Sequence, residues 1–295
     1  MEKWLPGHLE AYYGISVTRT TDLDAGVVRV DRADGPSWVA RVFPPSRPLA
    51  EVRGDAGVLQ ALERGGFPAE RCAVPAPVST YDGRTVLVTG FVEGAPARGD
   101  GPTYARLGGL LGRLHSRPAV RARPGGAWHH VAPGGGPAEE LAAARALLTD
   151  VKGADELRER LAEADDCTDL PHALVHPDFV PENAIAVDDG LVVVDWTNAG
   201  RGPRLWSLGV LLWAAGARDR RHVDAVVARY ARHVLLEPAE LARLDGAIRV
   251  RPLVMDCWSV GMGRRSLRDV RPGLAGADRL AEEIADRARQ AFAAV

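Results

Sequence analysis

Apolar and polar positions alternate along Ser37-Trp38-Val39-Ala40-Arg41-Val42-Phe43, which predicts a β-strand that Pro44 and Pro45 stop. Gly26-Val27-Val28-Arg29-Val30 has the same character, and Ala33-Asp34-Gly35-Pro36 supplies a turn between the two. From Leu49 to Arg64 the period changes. Val52, Ala56, Leu59 and Leu62 fall near helical spacing, and Gly65-Gly66 closes that helix. Two more strand-like runs, around Ala76 to Thr80 and Thr85 to Val92, are joined by the turn signal Asp82-Gly83. Strand, strand, helix, strand, strand is the order expected of a small mixed lobe.

After Gly94 the pattern becomes helical. Leu107, Leu110, Leu111 and Leu114 line one side of a helix from Tyr104 to His115, and a Gly- and Pro-rich stretch from Pro118 to Pro137 reads as a surface loop. Helices are expected at 138–149, 154–164, 206–217, 222–234, 238–258 and 275–294. No internal repeat is visible. The expected class is α+β, with an N-terminal lobe over 1–93 that carries the sheet and a larger, mostly helical lobe over 94–295.

Composition narrows the function classes. The chain has 295 residues, 46% of them apolar, enough to bury a large core. A formal net charge of −2 gives no reason to expect a nucleic-acid partner. No run approaches the roughly 20 apolar residues that span a bilayer, and no apolar segment of a signal peptide follows Met1-Glu2-Lys3-Trp4-Leu5-Pro6. Cys72, Cys167 and Cys257 are odd in number and in no ligand spacing, so they read as reduced thiols of a cytoplasmic protein.

The chemistry lies in Val175-His176-Pro177-Asp178-Phe179-Val180-Pro181-Glu182-Asn183 and, after the turn Asp188-Asp189-Gly190, in Leu191-Val192-Val193-Val194-Asp195-Trp196. An aspartate stands two residues after a histidine, an asparagine five residues later, and a short apolar strand delivers a second aspartate. Phosphoryl transfer needs such a set. One carboxylate accepts or orients the proton of the attacking hydroxyl, while a carboxamide oxygen and another carboxylate are hard ligands for Mg²⁺. The spacing H-x-D-x-x-x-x-N followed by a strand-borne Asp is the protein-kinase arrangement of base and metal ligands.

The segment resembles the H-G-D-x-x-x-x-N motif of aminoglycoside phosphotransferases and choline kinases. Leu114-His115 at the end of a Leu-rich helix, and Thr89-Gly90-Phe91-Val92-Glu93-Gly94 as the hinge between lobes, extend the likeness. The resemblance implies a bilobal protein-kinase-like fold and transfer of the γ-phosphoryl group of ATP to a hydroxyl of a small substrate. Aminoglycoside-like antibiotics, sugars and amino alcohols are the acceptors considered, and GTP stays open as the donor. It makes Asp178 the base, His176 its support, and Asn183 and Asp195 the Mg²⁺ ligands. Thr89, Gly90, Phe91 and Val92 become the nucleotide-binding hinge.

Several positions depart from that pattern. Arg41 stands where a phosphate-holding lysine is usual, and Lys3 and Lys152 are the only lysines. Its expected carboxylate partner is Asp55, or Glu51 one turn earlier. The loop Asp24-Ala25-Gly26 has one glycine, Pro177 replaces the glycine of H-G-D, Thr197 stands where a second acid is frequent, and Trp206 or Ser207 stands where an aspartate braces the loop. These departures motivate an alternative, a catalytically impaired nucleotide-binding pseudokinase with a regulatory role. A protein kinase is disfavoured by the absence of an A-P-E-like segment and of an activation loop between Asp195 and Trp206. Trp128-His129-His130, Asp256, Trp258 and Asp269 are the candidate acceptor-site residues.

Overall fold

A computed structural model describes residues 3–117, 123–128 and 135–295. In chain order the elements begin with α1 (Leu5–Tyr13), β1 (Val17–Asp24), β2 (Val27–Arg32), β3 (Trp38–Phe43), α2 (Leu49–Arg64), β4 (Val78–Tyr81), β5 (Arg84–Gly90) and β6 (Ala95–Pro96). Next come α3 (Gly101–His115), α4 (Pro137–Leu147), α5 (Asp155–Glu163), β7 (His172–Val175), a 3₁₀ turn (Pro181–Asn183), β8 (Ala184–Val187), β9 (Gly190–Val193) and β10 (Gly200–Pro203). The chain ends in α6 (Arg204–Arg218), α7 (Arg220–Tyr230), α8 (Pro238–Ala242), α9 (Leu244–Gly261) and α10 (Leu267–Ala293).

Two compact units result, Met1–Ala95 with Ile185–Thr197, and Pro96–Ala184 with Asn198–Val295. The first contains an antiparallel sheet in the order β1-β2-β3-β5-β4. Val28 and Val30, Trp38 and Ala40, and Val86 and Val88 repeat at a spacing of two and so share one face. Leu5, Leu9 and Ile15 join them in a buried cluster. Each Val, Leu or Ile side chain among them stabilises the fold by about 1.5–3 kcal/mol relative to exposure. The β1–β2 turn passes so close to β3 that a Cβ on Gly26 would stand 2.8 Å from the Val42 carbonyl, and its φ of +71° also demands glycine. The segment after α2 runs beside β9 and β5. Glu70 N–H donates to the Val193 carbonyl at 3.0 Å, Val193 N–H to Pro68 at 2.9 Å, and Gly90 N–H to Arg71 at 2.8 Å.

In the second unit α3 lies against α7 at glycine positions. A Cβ on Gly108 would stand 2.4 Å from the Val226 carbonyl oxygen, closer than any side chain tolerates. The strands β7 and β10 pair antiparallel, and α4, α5, α6, α9 and α10 bury a cluster around Trp206, Val254 and Cys257.

The expected α+β class matches, as does the order β2, β3, α2, β4, β5, whereas β6, β7 and β10 are short strands where none was expected. Three differences have physical reasons. The expected helix 238–258 is two helices, because Arg243 leaves helical geometry at φ −105° and ψ 10°. The last helix begins well before 275, where Ser266 and Asp269 form a capping box, and it runs through Pro272. The strand β1 has no apolar alternation because six of its eight residues are polar or charged; it pairs with β2 through its backbone.

Candidate functional site

In the first unit, Arg41 of β3 points toward two carboxylates. Its Nη1 lies 3.0 Å from Asp195 Oδ1 and its Nη2 3.6 Å from Glu70 Oε1. Burial works against the guanidinium charge, but Glu70, Asp195, Asp55 and Asp24 outweigh it and hold the group above its ordinary pKa. Glu70 is buried and fully used. Thr89 Oγ1 donates to its Oε2 at 2.9 Å, and the Asp195 backbone N–H donates to its Oε1 at 2.8 Å. Asp195 sits just past β9 at φ +63°, a left-handed conformation that a non-glycine residue keeps only when its surroundings impose it. Glu70 supplies that constraint.

The expected partner of Arg41 needs correction. Asp55 is ion-paired to Arg47 at 2.7 Å, with both side chains essentially inaccessible, and it acts on Arg41 only through its longer-range field. The carboxylates that stand at Arg41 are Asp195 and Glu70, the latter beyond the helix that carries Glu51.

Thr89, Gly90, Phe91 and Val92 close β5. The Gly90 N–H is given to Arg71 and the Phe91 N–H to the Ser37 carbonyl at 2.9 Å, while the Arg29 guanidinium covers the Phe91 ring at 4.0 Å. Of the three N–H groups from Gly90 to Val92, that of Val92 has no acceptor among the described residues. A cleft of about 410 Å³, lined by Pro68–Arg71, Gly90–Val92 and residues of the β8–β9 hairpin, adjoins this segment.

In the second unit, the loop between β7 and β8 fixes Asp178. The Asp178 N–H donates to His176 Nδ1 at 3.0 Å, so neutral His176 carries its proton on Nε2. Ser207 Oγ donates to the His176 carbonyl at 2.9 Å, and Phe179 meets the imidazole edge-on. Ser207 thus braces the loop where relatives were expected to use an aspartate. Pro177 fits because its missing N–H is not needed, and its carbonyl accepts the indole N–H of Trp128.

Asn183 Nδ2 donates to the Asp178 carbonyl at 2.9 Å and to its Oδ2 at 3.3 Å. That fixes the amide and leaves Asn183 Oδ1 as a hard oxygen donor. Asp178 Oδ1 accepts from Arg251 Nη2 of α9 at 2.8 Å. Spacing along the sequence gave no signal for Arg251, which lies 73 residues from Asp178. The indole of Trp128 stacks on Trp206 at 5.0 Å, and the Arg251 guanidinium lies 4.9 Å over it.

The other acceptor candidates scatter. His129 and His130 lie outside the described residues. Asp256 is paired with Arg265 at 2.6 Å, and burial raises its pKa against the pull of that arginine. Asp269 is spent on the α10 cap, and Trp258 lies under the Arg264 guanidinium at 4.1 Å. His115 is structural: it is buried against the Tyr230 hydroxyl at 2.9 Å.

Among the described residues no group of three or more His, Cys, Asp and Glu side chains is arranged around a common point for a metal. The Asn183 amide oxygen in the second unit and the Asp195 carboxylate in the first are each hard oxygens of the kind Mg²⁺ takes.

A family model described as the phosphotransferase enzyme family matches residues 20–246. Amicoumacin kinase hAmiN, solved with AMP-PNP, Ca²⁺ and Ami, has 15% identity over 97% of this chain and 94% of its own, at a TM-score of 0.69. Choline kinase LicA from Streptococcus pneumoniae has 15% identity over 97% and 99% of the two chains, at 0.65. A microcompartment-associated aminopropanol kinase has 19% identity over 98% of each, at 0.58. These likenesses show a kinase-like fold. No curated protein sequence matches the chain.

Proposed function

The chain belongs to the phosphotransferase enzyme family, and we propose that it is a kinase that moves the γ-phosphoryl group of ATP onto a hydroxyl of a small molecule. The observation that carries the proposal is the fixed pair in the β7–β8 loop. Asn183 gives its amide N–H to Asp178, so a carboxylate and a carboxamide oxygen are presented together in defined orientations.

Asp178, about one-third exposed, accepts the proton of the acceptor hydroxyl. The hydroxyl oxygen forms the new bond to the γ-phosphorus, the bond from that phosphorus to the β-bridging oxygen breaks, and ADP leaves with the electron pair. Mg²⁺ held by Asn183 and Asp195 would neutralise phosphate charge during transfer. Arg41 replaces the usual lysine with a permanent charge and a planar fork that suits phosphate oxygens. The Val92 N–H is available to the base of the nucleotide.

The contact of Arg41 with Asp195 favours a second reading, a nucleotide-binding protein with impaired chemistry, because the guanidinium occupies a metal ligand. The brace from Ser207 weakens that reading, since the loop is supported without the aspartate.

The test is a thermal-shift titration with ATP and with GTP, each with and without Mg²⁺, on the wild type and Asp195→Asn. A ligand at a hundredfold excess over its Kd stabilises the native state by about 2.7 kcal/mol. A Mg²⁺-dependent shift lost in the variant supports the kinase. A shift independent of Mg²⁺ and unchanged in the variant supports the impaired protein, and no shift with either nucleotide sinks both.

A further inference from the structure

We propose that Arg251 sets the acceptor class. The compound phosphorylated carries a carboxylate or another anionic group close to its reacting hydroxyl, rather than an ammonium. The proposal rests on Asp178 being the base.

Arg251 is not a mobile surface charge. Its Nη2 donates to Asp178 Oδ1 at 2.8 Å, its guanidinium lies 4.9 Å over the Trp128 ring, and that indole is tied to the Pro177 carbonyl and stacked on Trp206. Its Nη1 is buried and has no acceptor among the described residues, so Asp178 does not saturate the fork.

A hydroxyl that gives its proton to Asp178 must come within about 2.6–3.2 Å of the carboxylate. A group attached two or three bonds from that hydroxyl therefore lies within a few ångströms of a fixed guanidinium. An ammonium there meets a like charge at short range, where water screens poorly. A carboxylate there meets an opposite charge at short range, where the attraction is strong.

The rest of the helix agrees. Arg251, Met255 and Trp258 recur at i, i+4 and i+7 and share one side of α9, and Arg264 adds a second guanidinium seated on an indole, 4.1 Å over Trp258. Acidic groups are present but lie behind the helix. A groove of about 410 Å³ lined by Glu156, Glu159, Glu163, Asp165, Asp256 and Asp278 takes Arg249, Leu253 and Asp256 from α9, the side opposite Arg251. The relatives named for choline and aminopropanol have cationic acceptors by name; this site carries a cation of its own at the base.

The experiment measures binding of glycerate and gluconate, and of choline and 1-amino-2-propanol, by calorimetry with AMP-PNP and Mg²⁺ present. Wild type, Arg251→Gln and Arg251→Lys are compared. The wild type should bind the hydroxy acids more tightly. Arg251→Gln should move the ratio of acid to amine affinity by about tenfold or more toward the amines, equal to about 1.4 kcal/mol. Arg251→Lys, which keeps the charge, should retain most of the wild-type preference; a merely structural arginine would not show that split.

An unchanged ratio in Arg251→Gln, a wild-type preference for the amines, or no binding of either acid by the wild type overturns the proposal. Amine binding insensitive to Arg251 would place those compounds in the groove behind α9 and also count against it. The Mg²⁺-dependent shift with ATP, measured on the same samples, reports separately on the kinase reading and on folding of the variants.

Discussion

Arg41 and Asp195 are 3.0 Å apart, a guanidinium against the carboxylate that would ligate the metal, with Glu70 beside both. On the proposed function, nucleotide phosphates would compete for the same guanidinium. Arg41→Ala should therefore weaken AMP-PNP binding by about tenfold or more, on the scale of one lost charge-assisted contact of about 1.5–3 kcal/mol. Arg41→Lys should lose only part of it. Calorimetric titration in the presence of Mg²⁺ checks this, and equal Kd values for all three proteins would remove Arg41 from phosphate binding.

Glu70 holds Asp195 through its backbone and Thr89 through its hydroxyl. Gln can keep an oxygen toward the Asp195 N–H and turn its amide toward Thr89, whereas Ala cannot. Glu70→Ala should lose the Mg²⁺-dependent gain in nucleotide affinity and about 1–3 kcal/mol of stability. Glu70→Gln should keep most of the Mg²⁺-dependent gain. A Glu70→Ala protein with an undiminished Mg²⁺ effect would show that Asp195 needs no such support.

The pair of Arg47 and Asp55 is closed off from solvent. Removing one partner takes a close counter-charge from a buried group, so Asp55→Ala should cost about 3–5 kcal/mol in urea unfolding. The double change Arg47→Met with Asp55→Ala should recover much of that loss. If the double variant is as unstable as the sum of the singles, the pair is not coupled.

Burial lowers the pKa of His115 from 6.5 to about 3, with Arg204 adding to the effect. The folded protein keeps the imidazole neutral while the unfolded chain takes up a proton below its higher pKa. Stability from this residue is thus complete above about pH 6.5 and falls toward pH 3, by up to about 1.4 kcal/mol per pH unit. His115→Gln should flatten that limb of a pH-dependent unfolding series. An identical slope would assign the acid sensitivity to other groups.

Much of this was legible in the sequence where the signal is local. The spacing of His176, Asp178 and Asn183 fixes one loop, and the run Leu191 to Val194 ends at Asp195. The helix Leu49–Arg64 followed from its apolar period to the residue. What escaped is carried by contacts between distant segments. Counting along α2 pointed to Asp55 for Arg41, but that residue is turned into the core, where Arg47 meets it. Glu70 lies in no periodic element and is placed by pairing with β9, more than a hundred residues later. Arg251 reads as one of many helical arginines until the fold brings it to Asp178. The helix α1 was not expected: Gly7 and His8 dilute its apolar pattern, although Pro6 stands at its start and Gly14 at its end.

The chain returns to its first unit for only thirteen residues, Ile185–Thr197, before leaving it for good. Those residues include most of the β8–β9 hairpin and the whole stretch from Val193 to Asp195. Recombination that exchanged only the N-terminal ninety-odd residues with a relative would graft one protein's Arg41 and Glu70 onto another's Asp195. The two crossover points flanking the hairpin would have to be inherited together with the N-terminal segment. In this fold the first unit is therefore not a transferable cassette of contiguous sequence, and its two pieces should change in step.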